Sequence, residues 1–137
     1  MNTSFYSTPL EQSNKVVVLE PTQTTPFVQY INANRSLKIS GNSFIDNASQ
    51  FYSPFMDKIY EDLLYAENAE LELHFQSFCP RTARVLFALF DNLRTFKQTG
   101  KSVNVVWKSD TDNLGMYDLG NSFAELFDLD IQLQSAV

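Results

Sequence analysis

The feature that most constrains the fold is a change of hydrophobic periodicity in the middle of the chain. Over residues 71–76, apolar and polar residues alternate, which predicts a strand with one buried face. Beyond residues 78–80, the apolar residues take up helical spacing as far as the stop signal at Gly100, which predicts a long helix that begins at residue 80 or 81 and ends at residue 98. A strand that leads directly into a helix indicates an α/β domain.

The alternation typical of strands and the spacing typical of helices recur along the rest of the chain. The length of 137 residues suits one domain. The predicted strands cover residues 27–31, 36–40, 103–107 and 131–133, and the other predicted helices run from residue 48 or 49 to 66–68 and over 116–127. The first two strands form a hairpin, and the later strands alternate with helices. The sequence therefore predicts a single small α/β domain with a mixed sheet of about five strands flanked by helices.

The N-terminal stretch is predicted to lie outside this domain. Residues 1–14 are rich in Ser, Thr, Asn and Gln and show little periodicity. Residues 1–21 are therefore interpreted as a flexible tail, and residues 22–137 as the domain. The apolar run Val16–Leu19 allows two interpretations: an added edge strand, or a segment that is ordered only by its neighbours.

Composition argues against several classes of function. The net charge of −6, from 16 acidic and 10 basic residues, argues against a nucleic-acid partner, because phosphate binding needs a basic face. No apolar run is long enough for a membrane span, and the N-terminus lacks the pattern of a secretory signal, so we expect a cytoplasmic protein without a membrane partner. One Cys and one His exclude an internal disulfide and argue against a zinc site, and we expect neither metal nor cofactor.

Two residues are candidates for nucleophilic chemistry. His74 would have to serve any Ser-His-Asp site, but it alternates with core residues, so we expect it at the surface or on the second face of its strand. Cys79 precedes a helix N-terminus, where the pKa of a thiol can fall. The spacing from Cys79 to Arg84 is one residue short of a tyrosine-phosphatase loop, and the glycines of that loop are absent. An incidental cysteine is the favoured interpretation.

An acidic loop follows the strand at residues 103–107. Asp110 and Asp112, together with Asp118, could bind a cation, but the glycine and the distant Glu of an EF-hand are absent. We expect a solvated loop at the sheet edge. A small enzyme that uses Cys79 or these carboxylates is the less favoured class of function.

The junction between the central strand and the long helix is the candidate regulatory surface. It places a hydroxyl and two cationic side chains at a helix N-terminus, where a phosphate or a partner can bind. Phe87 lies off the apolar stripe of the helix, so it is either an exposed anchor for a partner or buried against a neighbouring helix. The expected docking residues are Phe78, Cys79, Pro80, Arg81, Thr82, Arg84 and Phe87.

Several motifs resemble those of the SiaC family of bacterial regulatory phosphoproteins, which are small relatives of the STAS-like anti-sigma-factor antagonist domains. Thr24-Thr25-Pro26 matches the family's start of strand one, and the run LKISGNSFIDN at residues 37–47 matches a family run of the type leucine-x-isoleucine-x-glycine-x-serine. Phe51-Tyr52-x-Pro54, the strand at residues 103–107 and Asp118-Leu119-Gly120 follow at the expected spacing. The resemblance covers residues 22–133, nearly the whole predicted domain.

The resemblance implies a fold and a role. The fold is a small sheet with helices on the antagonist-domain plan. Such proteins are phosphorylated by a cognate kinase and dephosphorylated by a PP2C-type phosphatase, and the unphosphorylated form activates a diguanylate cyclase. The output is cyclic di-GMP and biofilm behaviour. On this resemblance, the chain is a non-enzymatic signalling module that regulates a partner by docking.

The chain departs from the family at the phosphoacceptor. The family's motif Asn-Thr-Ser-Ser-x-Lys aligns with residues 79–84, which places Pro80 at the acceptor threonine and Arg81 at the next serine. Thr82 keeps a hydroxyl and Arg84 keeps the positive charge. Three interpretations stay open: the switch is lost and binding is constitutive, Thr82 is an alternative phosphosite, or this branch has a different partner.

A second class of function also stays open at this point. A divergent or self-assembling interaction protein, without phosphorylation switching, would fit the same composition. A large self-complementary apolar patch would favour that class. The sequence does not indicate the oligomeric state.

Overall fold

The structure, a computed structural model, describes residues 15–136. Every element that the periodicity predicts is present, and four of the strands are longer than predicted. The predicted flexibility of residues 1–14 lies outside the described residues. The elements within the described range are β1 (Val16–Leu19), β2 (Phe27–Ile31), β3 (Ser36–Ser43), α1 (Ala48–Tyr65), β4 (Asn68–Phe78), α2 (Pro80–Gln98), β5 (Ser102–Asp110), α3 (Leu114–Phe127) and β6 (Ile131–Ala136).

These six strands form one mixed sheet in the order β1-β2-β3-β4-β5-β6. Strands β1, β2 and β3 are antiparallel neighbours, whereas β3 to β6 are parallel. The predicted hairpin of β2 and β3 is confirmed, and its turn carries Arg35 in the left-handed region with φ of 52°. Each parallel connection contains one helix, as the alternation of the two periods predicts.

Strand β1 decides between the two interpretations of the run Val16–Leu19. It pairs with β2 along its full length, from Val16 opposite Ile31 to Leu19 opposite Val28. The sheet therefore has six strands rather than about five, and paired structure begins before residue 22. Val17 packs against the core whereas Val16 and Val18 are exposed, which is the alternation expected of a strand with one buried face.

The helices that flank the sheet cover one of its two faces. On this face, residues from neighbouring strands stand opposite one another in buried rows, such as Leu37, Leu71 and Val105. On the open face, Lys38 and Glu72 occupy the next row, where Lys38 is exposed and Glu72 is half-buried. The period of two in the strands therefore reflects a two-layer domain, with helices on the apolar side and solvent on the polar side.

Trp107 lies at the centre of an aromatic core between the sheet and the helices. Its fully buried ring lies 6.2 Å from Phe75, 6.4 Å from Phe90 and 5.6 Å from Phe123, measured between ring centroids. The indole Nε1 donates a hydrogen bond of 2.9 Å to the carbonyl oxygen of Met116. The abundance of phenylalanine is thus explained in part by this core.

The carboxyl ends of the parallel strands meet at one edge of the sheet, where the helices begin. Strand β3 leads into α1 through residues 44–47, β4 leads into α2 through Cys79, and β5 leads into α3 through residues 111–113. Because β3 and β4 are parallel neighbours, the N-termini of α1 and α2 lie side by side at this edge. None of the helices within residues 15–136 is long and apolar enough to cross a membrane.

Candidate partner-docking surface

Helix α2 begins at Pro80, directly after β4. Proline suits the first helical turn, because its missing N–H is one that a helix leaves without an internal partner. Cys79 precedes it with an extended backbone. Pro80, which aligns with the phosphoacceptor threonine of the family motif, therefore has no hydroxyl.

Thr82 lies in the first turn of α2 and is completely buried. Its hydroxyl oxygen is 2.7 Å from Ser43 Oγ and 3.2 Å from the Ser43 carbonyl oxygen. Ser43 Oγ lies 2.6 Å from the hydroxyl of Tyr52, and burial raises the pKa of this tyrosine. The three hydroxyls form a buried network that joins β3, α1 and α2. A kinase could reach Thr82 only if α2 moved away from β3.

Cys79 lies at the rim of this network and is half-buried. Its Sγ is 3.6 Å from the Thr82 hydroxyl and 3.9 Å from the Ile45 carbonyl oxygen. Desolvation raises the pKa of the thiol, but hydrogen bonds from the backbone and the hydroxyl of Thr82 outweigh this effect and lower the pKa to about 7. The thiol is therefore partly ionised at neutral pH.

A groove runs between α1 and α2, and we call it the α1–α2 groove. Its wide end is a cavity of about 450 Å³ at the two helix N-termini, and a shallower cavity of about 190 Å³ continues it along the helices. Ser49, Val85 and Ala88 line both cavities, so the two are continuous. The other lining residues are Asp46, Asn47, Ala48, Gln50, Arg81 and Arg84 at the wide end and Ser53, Met56, Asp57, Tyr60 and Asn92 at the narrow end.

The wide end of the groove is electropositive although the chain as a whole is acidic. Arg81 lies 3.4 Å from Asp46, but both side chains are well exposed, so water screens the pair and leaves it weak. Within residues 15–136, no carboxylate oxygen lies within 4 Å of the Arg84 guanidinium. Neither helix has an acidic residue in its first turn, so the positive ends of both helix dipoles add to these two charges.

The two predicted phenylalanines lie outside this groove. Phe78 is half-buried and packs edge-on against Phe75, with ring centroids 5.2 Å apart. Phe87 combines the two expected possibilities: it is 47% exposed, and its ring also packs edge-on against Phe123 and Phe127 of α3 at 5.5 and 5.6 Å. Two of the seven expected residues line the groove. Arg81 and Arg84 line the groove, whereas Phe87 faces α3.

His74 and the carboxylates of the acidic loop do not line the groove. His74 lies on the open face of the sheet, as predicted, and its Nε2 is 2.9 Å from Oδ1 of Asp110. Asp112 and Asp118 are exposed at the start of α3. Among the described residues, no group of three or more His, Cys, Asp or Glu side chains could hold a metal ion.

Sequence reasoning missed Ser43, which bonds to the Thr82 hydroxyl, and Tyr52, which bonds to Ser43. Ser43 and Tyr52 occur in the family motifs at residues 37–47 and 51–54, but those motifs do not indicate that the two side chains hydrogen-bond to each other. They are 39 and 30 positions from Thr82 in sequence, and no local spacing signals a contact at such a distance. The alternation of β3 does place Ser43 on the same face as Leu37 and Ile39, and this is the one signal that could have indicated its burial.

The fold and this edge of the sheet define a class of protein: a small two-layer α/β domain with an electropositive groove where two helices begin. The family model described as SiaC family regulatory phosphoprotein matches residues 19–136, which is most of the chain. The chain therefore belongs to the SiaC family. No curated protein sequence matches it.

Solved structures of SiaC from Pseudomonas aeruginosa are similar to the whole described domain. The apo-SiaC structure has a TM-score of 0.80 at 21% sequence identity, and the match covers 88% of this chain and 99% of that chain. The structure of the diguanylate cyclase SiaD in complex with its activator SiaC gives a TM-score of 0.81 at 21% identity, with the same coverage. A further SiaC structure gives 0.75 at 20% identity and covers 89% of this chain and 98% of that chain. At these identities, the likeness establishes the fold.

Proposed function

We propose that this protein is a non-enzymatic, cytoplasmic regulator that docks on a diguanylate cyclase and activates it. The observation that carries the proposal is the α1–α2 groove, which has an apolar floor and two exposed arginines at one end, and of these only Arg81 has a described carboxylate within 4 Å. Membership of the SiaC family supports it, because SiaC of P. aeruginosa forms a complex with the diguanylate cyclase SiaD as its activator. The cellular output would then be cyclic di-GMP and biofilm behaviour.

In this proposal, Arg81 and Arg84 select the part of the partner that binds. Val85 and Ala88 leave room for apolar side chains, and the arginines pair with acidic side chains of the partner at the wide end. Arg84 contributes more than Arg81, because Arg81 already has Asp46 within 4 Å. A charge that becomes buried and paired on binding carries much of the affinity of such an interface.

We further infer that the phosphorylation switch is lost in this chain. Pro80 lacks a hydroxyl, and Thr82 is buried with its hydroxyl already hydrogen-bonded. Burial argues against Thr82 as the alternative phosphosite, so constitutive docking is the favoured interpretation. A cognate kinase and a PP2C-type phosphatase would then be dispensable for activation. Recovery of a phosphopeptide that contains phosphorylated Thr82 from native cells would contradict this inference.

The test compares Arg84→Glu with Arg94→Glu. Both substitutions reverse one charge on α2, but Arg94 lies over the ring of Phe127 on the α3 side and not in the groove. Purified wild-type protein is added to a purified diguanylate cyclase from the same organism, and the rate of cyclic di-GMP synthesis is measured. We expect activation by wild type and by Arg94→Glu, and a loss of affinity of at least roughly tenfold for Arg84→Glu.

Two outcomes of this experiment would contradict the proposal. If the wild-type protein fails to bind or activate the cyclase, the partner is wrong and the different-partner interpretation replaces it. If both variants activate as wild type does, the groove is not the docking surface. Circular dichroism of each variant shows whether it is folded.

Cys79 supports a second candidate function, since a thiol with a pKa of about 7 is a potential nucleophile. Against it, the only histidine, His74, is paired with Asp110 on the open face of the sheet and is not available as its base. Cys79→Ser should therefore activate the cyclase as wild type does. Loss of activation in this folded variant would favour a chemical role for the thiol.

A further inference from the structure

Four hydrogen-bonding side chains form one continuous chain at the carboxyl edge of the sheet. The hydroxyl oxygen of Tyr52 lies 2.6 Å from Ser43 Oγ, and Ser43 Oγ lies 2.7 Å from the hydroxyl oxygen of Thr82. The Thr82 hydroxyl oxygen is in turn 3.6 Å from Cys79 Sγ. Tyr52, Ser43 and Thr82 are each at most 1% exposed, so bulk water does not compete for these contacts.

The direction of the first two hydrogen bonds follows from a count of protons. Each hydroxyl has one proton to donate, and burial raises the pKa of Tyr52, so this tyrosine stays protonated. Ser43 Oγ is the acceptor that the described residues offer to the Tyr52 hydroxyl. Because a buried donor without an acceptor is costly, Tyr52 donates to Ser43, and Ser43 then donates to Thr82.

The proton of Thr82 is left with two acceptors. The carbonyl oxygen of Ser43 is 3.2 Å from the Thr82 hydroxyl oxygen, and Cys79 Sγ is 3.6 Å from it. The sulfur of a neutral thiol is a weak acceptor, whereas a hydrogen bond to an ionised acceptor is roughly twice as strong as one between neutral groups. The ionisation of Cys79 therefore decides which of the two acceptors is better.

We propose that the Thr82 hydroxyl is a pH-sensitive switch, which donates to the Ser43 carbonyl oxygen beside a thiol and to Cys79 Sγ beside a thiolate. The thiol gives its proton to water, and the O–H bond of Thr82 rotates from one acceptor to the other. The N–H of Cys79 donates to the same Ser43 carbonyl oxygen at 2.9 Å, so β3 stays bonded to the start of α2 in both states. The switch changes one hydrogen bond and preserves the fold.

The surroundings of the thiol place the switch near neutral pH. Desolvation raises the pKa of Cys79, but hydrogen bonds from Thr82 and from the backbone of Arg81 lower it to about 7. The charges on the elements around the thiol are Arg81 and Arg84 on α2 and Asp46 before α1, whereas the last four residues of β4 carry none. The tyrosine of the hydrogen-bond chain stays neutral in this pH range.

The position of the switch connects it to the α1–α2 groove. Thr82 lies between Arg81 and Arg84 in sequence at the start of α2, and both arginines line the groove. Ionisation of the thiol therefore alters the hydrogen bonding of the segment that presents these two charges. The inference does not rest on the proposed function, because each of its measurements uses the protein alone.

The first test measures the pH at which alkylation of Cys79, the only cysteine, by iodoacetamide reaches half its maximum rate in the full-length protein. Tyr52→Phe removes the first donor but keeps the ring, so the midpoint should move to higher pH, by less than in Thr82→Val. Added to Thr82→Val, Tyr52→Phe should have no further effect, because the connection to the thiol is already broken. Ser109→Ala is the control and should match wild type, since Ser109 is buried but makes no described hydrogen bond.

The second test follows the Ser43 carbonyl-carbon signal by nuclear magnetic resonance in a pH titration. In wild type this signal should titrate with the midpoint of Cys79 alkylation, and its change should be smaller in Thr82→Val. A wild-type signal that does not follow the ionisation of the thiol would overturn the proposal, whatever the variants do. A Tyr52→Phe effect that is equal with and without Thr82 would also overturn it. Thermal unfolding shows whether each variant is folded.

Discussion

At the scale of single residues, Thr82 has a structural role, although its neighbours in sequence suggest a phosphate site. It stands in a segment with two arginines and a helix N-terminus, where a hydroxyl is a natural site for phosphate. Instead it joins α2 to β3 and α1 through Ser43 and Tyr52. The Thr82 hydroxyl therefore stabilises the packing of α2 beneath the α1–α2 groove, and it is not exposed to a docking partner.

Removal of this hydroxyl should destabilise the protein. Thr82→Val keeps the shape of the side chain but leaves buried Ser43 with one hydrogen-bond partner fewer. We expect a loss of about 1–3 kcal/mol in the free energy of unfolding, measured by urea denaturation. Thr95→Val is the matched control, because Thr95 is exposed on the same helix and bonds only to the carbonyl oxygen of Asp91. An equal effect of both substitutions would contradict a structural role for the buried network.

The ionisation of Cys79 provides a second prediction at this scale. The rate of alkylation by iodoacetamide should reach half its maximum near pH 7, below the value of 9.0 for an ordinary thiol. Because the pKa is lowered in the folded protein, the thiolate adds stability that appears as the pH rises from about 7 to 9 and is lost as the pH falls through 7.

Thr82→Val tests the cause of this lowered pKa. The substitution removes the side-chain hydrogen bond to Cys79 and keeps the backbone one, so the midpoint of the alkylation profile should move to higher pH. An unchanged midpoint would mean that the hydroxyl does not stabilise the thiolate.

At the scale of elements, the contact between α3 and β5 depends on a glycine. Gly120 packs against the indole ring of Trp107, and a Cβ at this position would come within 2.6 Å of Nε1 and 2.7 Å of Cγ. No such approach is tolerated between non-bonded atoms, so the helix or the ring would have to move. The aromatic core allows little movement, because Phe90 and Phe123 pack around the same ring.

Gly120→Ala should therefore destabilise the protein by about 1–3 kcal/mol, despite the better helix propensity of alanine. Denaturant unfolding monitored by the fluorescence of Trp107, the only tryptophan, measures the change. Gly115→Ala on the same helix is the control, because a Cβ there meets no atom within 4 Å. That variant should be as stable as wild type or slightly more stable. A Gly120→Ala protein as stable as Gly115→Ala would show that α3 can shift freely on the sheet.

At the scale of the whole molecule, charge is distributed unevenly between the surface and the groove. The chain carries a net charge of −6, yet the wide end of the α1–α2 groove holds two arginines and two helix N-termini. An acidic partner would be repelled by most of the surface of the protein and attracted to the wide end of the α1–α2 groove. Such an arrangement favours orientation of the partner during the encounter.

Binding of the proposed partner should therefore depend on salt. Added NaCl shortens the screening distance from about 10 Å at 0.1 M to roughly 3 Å at 1 M, so the association rate of wild type should fall. Arg84→Glu should associate more slowly at low salt and lose less of its rate as salt is added. Surface plasmon resonance against the immobilised cyclase measures both rates. Parallel salt dependences for wild type and the variant would argue against steering by Arg84.

The sequence by itself determined the elements and their order, because the two hydrophobic periods report directly which side of each strand and helix is buried. Residues 71–76 alternate since one face of β4 meets the helices and the other meets solvent. The family motifs, spread over residues 22–133, identified the fold class for the same reason: their spacing depends on the lengths of the elements. The segment at residues 78–84 was also identified as the candidate surface, since it joins β4 to α2.

Only the tertiary structure decided how the residues of that segment divide between core and surface. The burial of Thr82 depends on Ser43 and Tyr52, which come from other elements, and the aromatic neighbours of Phe87 come from α3. The strand at Val16–Leu19 likewise exists because β2 offers a free edge to it. Periodicity reports which side of an element is buried, but not which distant residue covers it, because that contact is made only when the elements pack together.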